Sequence, residues 1–281
     1  MQPEALPARL HSWAGSPVMR DLVAAFNGRL PDAVGTAGLL AWLDEFSDTH
    51  WNFRGRLGGA ERDRVRVDLD PAHAAAALTA AEGLGLTDSI EPPHAGYDHL
   101  LILGGLAPAC LQRTEYAARL AATRRIGAVT ALGSLRPLSP PERQVQGVGA
   151  AETEADALAA GVRAAFDRHV PVLVAPPRDP AAPRANTADT YEHWAAVAQP
   201  RPEQRILIVT SPIYVPFQHC DAIRILALRY RCGIDTVGFD PARATTPQPP
   251  GAAAPDRYLQ EIRSAIRAAR ALHTAATGTR A

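Results

Sequence analysis

Glu154, in the segment Glu152-Thr153-Glu154-Ala155, is the acid of this chain best placed to move a proton. It opens a helical stretch directly after a proline-rich loop, and a carboxylate facing a cleft from that position can act as a general base. The same position also suits plain helix stabilisation, because the N-terminal dipole favours an acid. His219 is the second catalytic candidate, with Cys220 and Asp221 beside it. Successive helical residues point about 100° apart, so these three neighbours cannot converge as a triad. Cys110 lies a turn beyond Gly104-Gly105, where a helix N-terminus lowers a thiol pKa. His94 and His99 flank a predicted strand at its amino end, away from any expected site. The three cysteines lack CxxC spacing, so no metal site and no disulfide framework is expected.

Groups suited to holding a ligand recur at four places. Gly104-Gly105 is followed by a helix carrying Arg113; Ser134 follows Gly133; Asn186-Thr187 opens a later helix; Thr210-Ser211 precedes Tyr214. Glycines admit a ligand to the backbone, and a helix N-terminus with a nearby Arg favours an anion. Ser134, Asn186 and Thr187 equally suit caps and turns. Their repetition is what points to a site. LGGLAPA is not GxGxxG and no acidic ribose-binding residue follows at the usual distance, so a nicotinamide dehydrogenase is disfavoured.

The elements that must position these groups are legible from hydrophobic periodicity. Residues 98–103, 126–132, 170–175, 205–210 and 234–239 are short runs rich in Val, Ile and Leu without polar alternation, as strands covered on both faces require. Helical patterns separate them, the clearest being Tyr258, Leu259, Ile262, Ala265, Ile266 and Ala269 in the last segment. Alternating strands and helices predict an α/β fold, a five-stranded, mostly parallel Rossmann-like sheet with helices on both faces. The ligand-holding candidates, with Glu154 and His219, then lie at the carboxyl ends of strands or on the loops and helices that follow them, where such sheets bind ligands.

Residues 1–92 read as a helical segment without strands, and 93–281 as the Rossmann-like domain. Asp70-Pro71 is an N-cap with proline at the first helical position, and Gly83 is a stop. Between the predicted helices, residues 49–59 read as a loop carrying Trp51, Phe53, Arg54 and Arg56. Trp51, Arg54 and Arg56 are candidates for a lid over the cleft, or for packing against the neighbouring domain.

Composition narrows the function. The 281 residues include 47% hydrophobic and 21% charged side chains with zero formal net charge, so nothing pulls the chain onto nucleic acid or an anionic membrane. No run is long enough to span a bilayer. The opening MQPEALPARLHSW is not of signal-peptide type, so the cytoplasm is the expected address. All 29 basic residues are Arg. With no Lys, the chain can hold no P-loop lysine, no Schiff base and no pyridoxal phosphate.

The order of LILGG with Arg113, the Gly133-Ser134 turn, Glu154-Ala155, Asn186-Thr187 and LIVTSPIYVPF resembles the SanA/YdcF/ElyC family over roughly residues 97–240. The resemblance implies a Rossmann-like fold and an S-adenosylmethionine or nucleotide ligand. It also implies pocket residues Arg113, Glu154, Asn186, Thr187, Thr210 and Ser211. The chain departs from that family where Tyr214 and Phe217 replace a His and an Arg, and where Thr190 replaces a second Asn. The expectation is a small-molecule enzyme, a transferase or hydrolase of specialised or nucleotide-linked metabolism. The alternatives are a non-catalytic nucleotide or S-adenosylmethionine sensor, and an interaction protein acting through its helical segment. The expected partner is a small-molecule ligand; further copies of the chain, as a homo-oligomer, are left open.

Overall fold

The computed structural model describes residues 5–56, 65–182, 184–249 and 251–278. Five helices come first: α1 (Leu6–Ala14), α2 (Pro17–Ala25), α3 (Thr36–Trp51), α4 (Phe53–Arg56) and α5 (Pro71–Gly83). The chain continues through β1 (Gly96–Leu103), α6 (Ala107–Thr123), β2 (Arg125–Gly133), α7 (Pro140–Arg143), α8 (Glu154–Ala165), β3 (Val172–Val174) and α9 (Thr187–Ala198). It ends with β4 (Arg205–Thr210), α10 (Val215–Ala222), α11 (Leu228–Tyr230), β5 (Gly233–Gly238) and α12 (Pro255–Thr277).

Two compact units result. The sheet unit comprises residues 89–215 and 225–249; the helical unit takes in the N-terminal helices, residues 216–224 and the C-terminal segment. The helical unit therefore includes α12, which the sequence placed with the sheet. Its apolar stripe is buried as expected, with Leu259, Ile262 and Ile266 sealed, but against α1, α3, α4 and α5. Periodicity shows that a helix has a buried face; it does not say what covers that face.

Residues 49–56, expected as a loop, are helical up to Arg56, and Gly58 and Gly59 lie outside the described residues. Trp51 is fully buried in the helical unit, its ring 5.7 Å from that of Phe26 and 5.5 Å from that of Phe46. A side chain sealed in a core cannot serve as a lid. The Arg54 N–H donates to Gln260 Oε1 at 3.1 Å, and Arg56 donates to the Thr49 carbonyl.

The α/β sheet holds five strands, all parallel, in the order β3-β2-β1-β4-β5. β3, at an edge, is only three residues long, flanked by Pro171 and by Pro176-Pro177, which have no N–H for a ladder. Helices cover both faces. Leu100 and Ile102 of β1 share a core with Val129 and Ala131 of β2, Cys110 and Ala117 of α6, and Leu158 and Val162 of α8. His99 points the opposite way, as strand alternation demands, and meets Trp194 of α9 edge-on at 5.2 Å. Connections lead outward from β1 to β2 and β3, and from β4 to β5. The switch point of the sheet is therefore the crevice between the carboxyl ends of β1 and β4.

Candidate functional site

The crevice between β1 and β4 is filled by Arg113. Its side chain leaves the second turn of α6, is fully buried, and all three of its nitrogens donate to protein oxygens. Nη1 reaches the carbonyls of Leu103, at 2.9 Å, and Gly104. Nε and Nη2 both reach Ser211 Oγ, at 3.2 and 2.9 Å. The guanidinium also lies 5.6 Å above the ring of Tyr214, which is buried in the short turn Pro212–Tyr214. Arg113 thus ties the end of β1 to the end of β4. The sequence expectation that it presents a charge to an incoming anion gives way to this role as a buried crosspiece. Thr210, just before Ser211, is sealed at the end of β4.

Glu154 stands at the end of β2. An antiparallel bridge between Pro137 and Thr153 stitches the start of α8 to the loop after that strand, reinforced by Glu154 N–H to Arg136 O at 2.9 Å. The helix is capped by a reciprocal pair, Thr153 with Asp156, so Glu154 is not needed as the cap. Its carboxylate instead crosses to β2. Oε1 accepts from Ser134 N–H and Oγ, both at 3.1 Å, and Oε2 accepts from Arg136 Nε at 3.5 Å. Gly104 makes this possible, because a Cβ there would land on Oε1. Burial pushes the Glu154 carboxyl up; Arg136, Ser134, Arg184 and Arg113 pull it down without cancelling that rise. A carboxyl held in this way can take up and release a proton nearer neutrality than an exposed one.

The first turn of α6, expected to offer free N–H groups to an anion, is already capped. Ala107 N–H donates to Glu142 Oε1 at 2.8 Å. Glu142 also accepts from Ser139 N–H and Oγ, both at 2.9 Å. Arg136 grips it with two nitrogens at 2.7 and 2.9 Å. Burial works against this carboxylate, but the Arg136 and Ser139 hydrogen bonds outweigh it and lower its pKa to about 2. Cys110 is no nucleophile in this setting. Burial, then Glu154, pushes its thiol up to about 12, and it donates to Gly105 O at 3.5 Å.

The structure brings together Gly104, Gly105, Arg113, Ser134, Glu154, Ser211 and Tyr214. Asn186 is the N-cap of α9, exchanging hydrogen bonds with Asp189 at 2.9 and 3.1 Å. Thr187 is the first residue of that helix, its carbonyl accepting from Thr190 Oγ1 at 2.8 Å. His219 sits half-buried on α10, in the helical unit, whereas Glu154 belongs to the sheet unit. Its neighbour Asp221 pairs with Arg224 at 2.9 Å.

Three members of the cluster were not singled out from sequence: Arg136, Glu142 and Arg184. Ser139-Pro-Pro-Glu142 is an S-x-x-E capping signature and would have located the start of α7. No local pattern announces that Arg136 joins that glutamate to Glu154. Among the described residues, no three His, Cys, Asp or Glu side chains are grouped to hold a metal ion. No described helix is long and apolar enough to cross a membrane.

Residues 1–85 match the family described as the Rv3785 N-terminal domain. Three relatives are each 31% identical over 314 aligned positions, covering 93% of this chain and 87% of theirs. They are the uncharacterized proteins Rv3785 and MT3893 of two Mycobacterium tuberculosis strains and Mb3814 of Mycobacterium bovis. No solved structure matches the chain. At that identity over nearly the whole length, the chain belongs to the Rv3785 family.

Proposed function

We propose that the sheet unit is a small-molecule enzyme, a transferase or hydrolase, acting at the carboxyl ends of β1, β2 and β4 with Glu154 as its proton carrier. The observation that carries this reading is the Glu154 carboxyl itself: buried, lodged against a glycine backbone, and raised in pKa among three arginines. The substrate is an anionic or nucleoside-containing molecule. Its anionic part faces Arg184 and the Asn186-Thr187 turn rather than the first turn of α6, because Glu142 already takes the Ala107 N–H. The order of motifs supports kinship of the sheet unit with the SanA/YdcF/ElyC proteins. In this reading the enzyme works in the cytoplasm.

A second reading is a non-catalytic nucleotide or S-adenosylmethionine binding module. It is favoured by Tyr214 and Phe217, which stand where that family carries a His and an Arg. Thermal shifts of the full chain against nucleotides, S-adenosylmethionine, sugar phosphates and pyrophosphates would find the ligand. One at 100 times its Kd adds about 2.7 kcal/mol of stability. Glu154→Gln separates the readings. Under the enzyme reading it abolishes turnover of that ligand and leaves its binding within a fewfold; turnover that survives the exchange overturns it.

A further inference from the structure

The Arg136 guanidinium has five N–H donors, and the protein assigns all five. Nη1 donates to Glu142 Oε2 at 2.9 Å and to Pro137 O at 3.2 Å. Nη2 donates to Glu142 Oε1 at 2.7 Å and to Gly105 O at 2.8 Å. Only Nε remains for Glu154, at 3.5 Å, the far limit of hydrogen-bond distance. The fork, which is the strong bidentate face of arginine, is thus given to Glu142, while Glu154 receives the weakest contact.

Glu142 cannot easily release that fork. Its two oxygens accept from Ala107 N–H, Ser139 N–H and Ser139 Oγ as well as from both Arg136 nitrogens. A carboxylate holding five donors stays ionised throughout the physiological range, so the Arg136 charge is permanently matched. The other groups facing Glu154 are Ser134 from the β2 end, Arg113 and Cys110 from α6, and Arg184 from the segment before α9. Arg113 is already bonded to Leu103, Gly104 and Ser211. From Arg136, the buried Glu154 carboxylate therefore receives only the Nε contact and not the fork.

We propose that Glu142 is a positioning residue for Glu154: by holding the Arg136 fork it limits Arg136 to a single long contact with Glu154, in place of a bidentate ion pair, and keeps Glu154 able to take and release a proton. This rests on the reading of Glu154 as proton carrier, but it can be tested without any substrate. Removing the Glu142 charge would free the Arg136 fork to pair with Glu154. Removing Arg136 and Glu142 together would take away a neutral pair and leave Glu154 much as it is.

The experiment is a carbon-13 NMR titration of the Glu154 carboxyl in the full chain, assigned by its loss in Glu154→Gln. Glu142→Gln is expected to lower the proton affinity of Glu154 by about tenfold or more, the effect of an opposite charge brought into contact. Arg136→Met/Glu142→Leu is expected to leave it within about threefold of the parent, since a neutral pair contributes little net field. A folded Glu142→Gln whose Glu154 titrates as in the parent overturns the proposal. So does a tenfold or greater rise in the double variant, which would make Arg136 the counter-ion of Glu154 and Glu142 only a cap. The double variant decides the matter even if Glu142→Gln does not fold. Because no ligand enters the measurement, its result is independent of whether Glu154→Gln abolishes turnover.

Discussion

The two ends of the sheet carry polar clusters built on opposite terms. At the carboxyl end, Arg113, Arg136, Glu142 and Glu154 are all buried, and their hydrogen bonds link β1, β2, α7, α8 and the end of β4. At the amino end, Tyr97 donates to Asp235 at 3.1 Å, His94 lies 3.7 Å from the same carboxylate, and Arg124 pairs with Glu91 at 2.9 Å. There the His94 side chain is 40% exposed and that of Glu91 74% exposed. Water screens the second cluster and is excluded from the first. A charge withdrawn from water must be satisfied by the protein, and the loss of one partner leaves the rest stranded. Similar residue types should therefore differ severalfold in energetic weight, and in their capacity to perturb a proton equilibrium.

The sharpest way to break this contrast is Arg113→Met. It strands the carbonyls of Leu103 and Gly104 and the Ser211 hydroxyl, each a loss of about 1–3 kcal/mol when buried. Urea unfolding should show a total loss of roughly 3–5 kcal/mol; a loss below 1 kcal/mol would put the carboxyl end on a par with the amino end.

Next comes pH. The folded state holds Glu142 at about 2, against an ordinary value of 4.5. Its stabilisation is present above pH 4.5 and is lost as pH falls toward 2, an effect on the order of 3 kcal/mol at most. Glu154 has the opposite sign. Its folded pKa is raised, so it favours the folded state below the ordinary carboxylate range and loses that contribution as pH rises through its folded value. Glu154→Gln should thus raise the melting temperature at neutral pH relative to pH 4. Glu142→Gln should flatten the acid limb. Parallel melts of both variants from pH 3 to pH 8 would read the two signs.

Gly104→Ala sharpens the comparison locally. The new methyl collides with Glu154 Oε1, and such overpacking costs about 1–3 kcal/mol. It should also displace the carboxyl from Ser134, visible as a shifted Ser134 amide resonance. At the amino end, Tyr97→Phe removes two half-screened hydrogen bonds, one donated to Asp235 and one accepted from the His94 N–H, and should cost about 1–2 kcal/mol. Smallest of all, Glu91→Ala breaks an exposed pair and should change stability by less than about 1 kcal/mol in urea titrations. A larger effect there would show that burial is not what separates the two ends.

Much of the positioning frame was readable from the residue pattern. All five strands fall within or across the apolar runs, because a strand covered on both faces must be apolar throughout. Asp70-Pro71 and Asn186 mark helix starts because capping is a local hydrogen bond between residues two or three apart. Glu154 was legible as an acid at the mouth of a helix, but not that Thr153 and Asp156 relieve it of capping. Nor did Arg113 reveal its destination: Ser211 is 98 positions away in the chain.

By itself, the sequence determined the class of fold, the strand segments, the carboxyl-end placement of Gly104, Ser134, Glu154 and Ser211, and the absence of lysine chemistry. These follow from periodicity, capping and composition, which act over a few residues or over the chain as a whole. Tertiary structure alone decided that Arg113 is a crosspiece, that Glu142 claims the Arg136 fork, and that α12 joins the helical unit. Each of these is a choice among distant partners of similar chemistry, and such choices are made by the packing geometry that brings one partner within reach and leaves the other out.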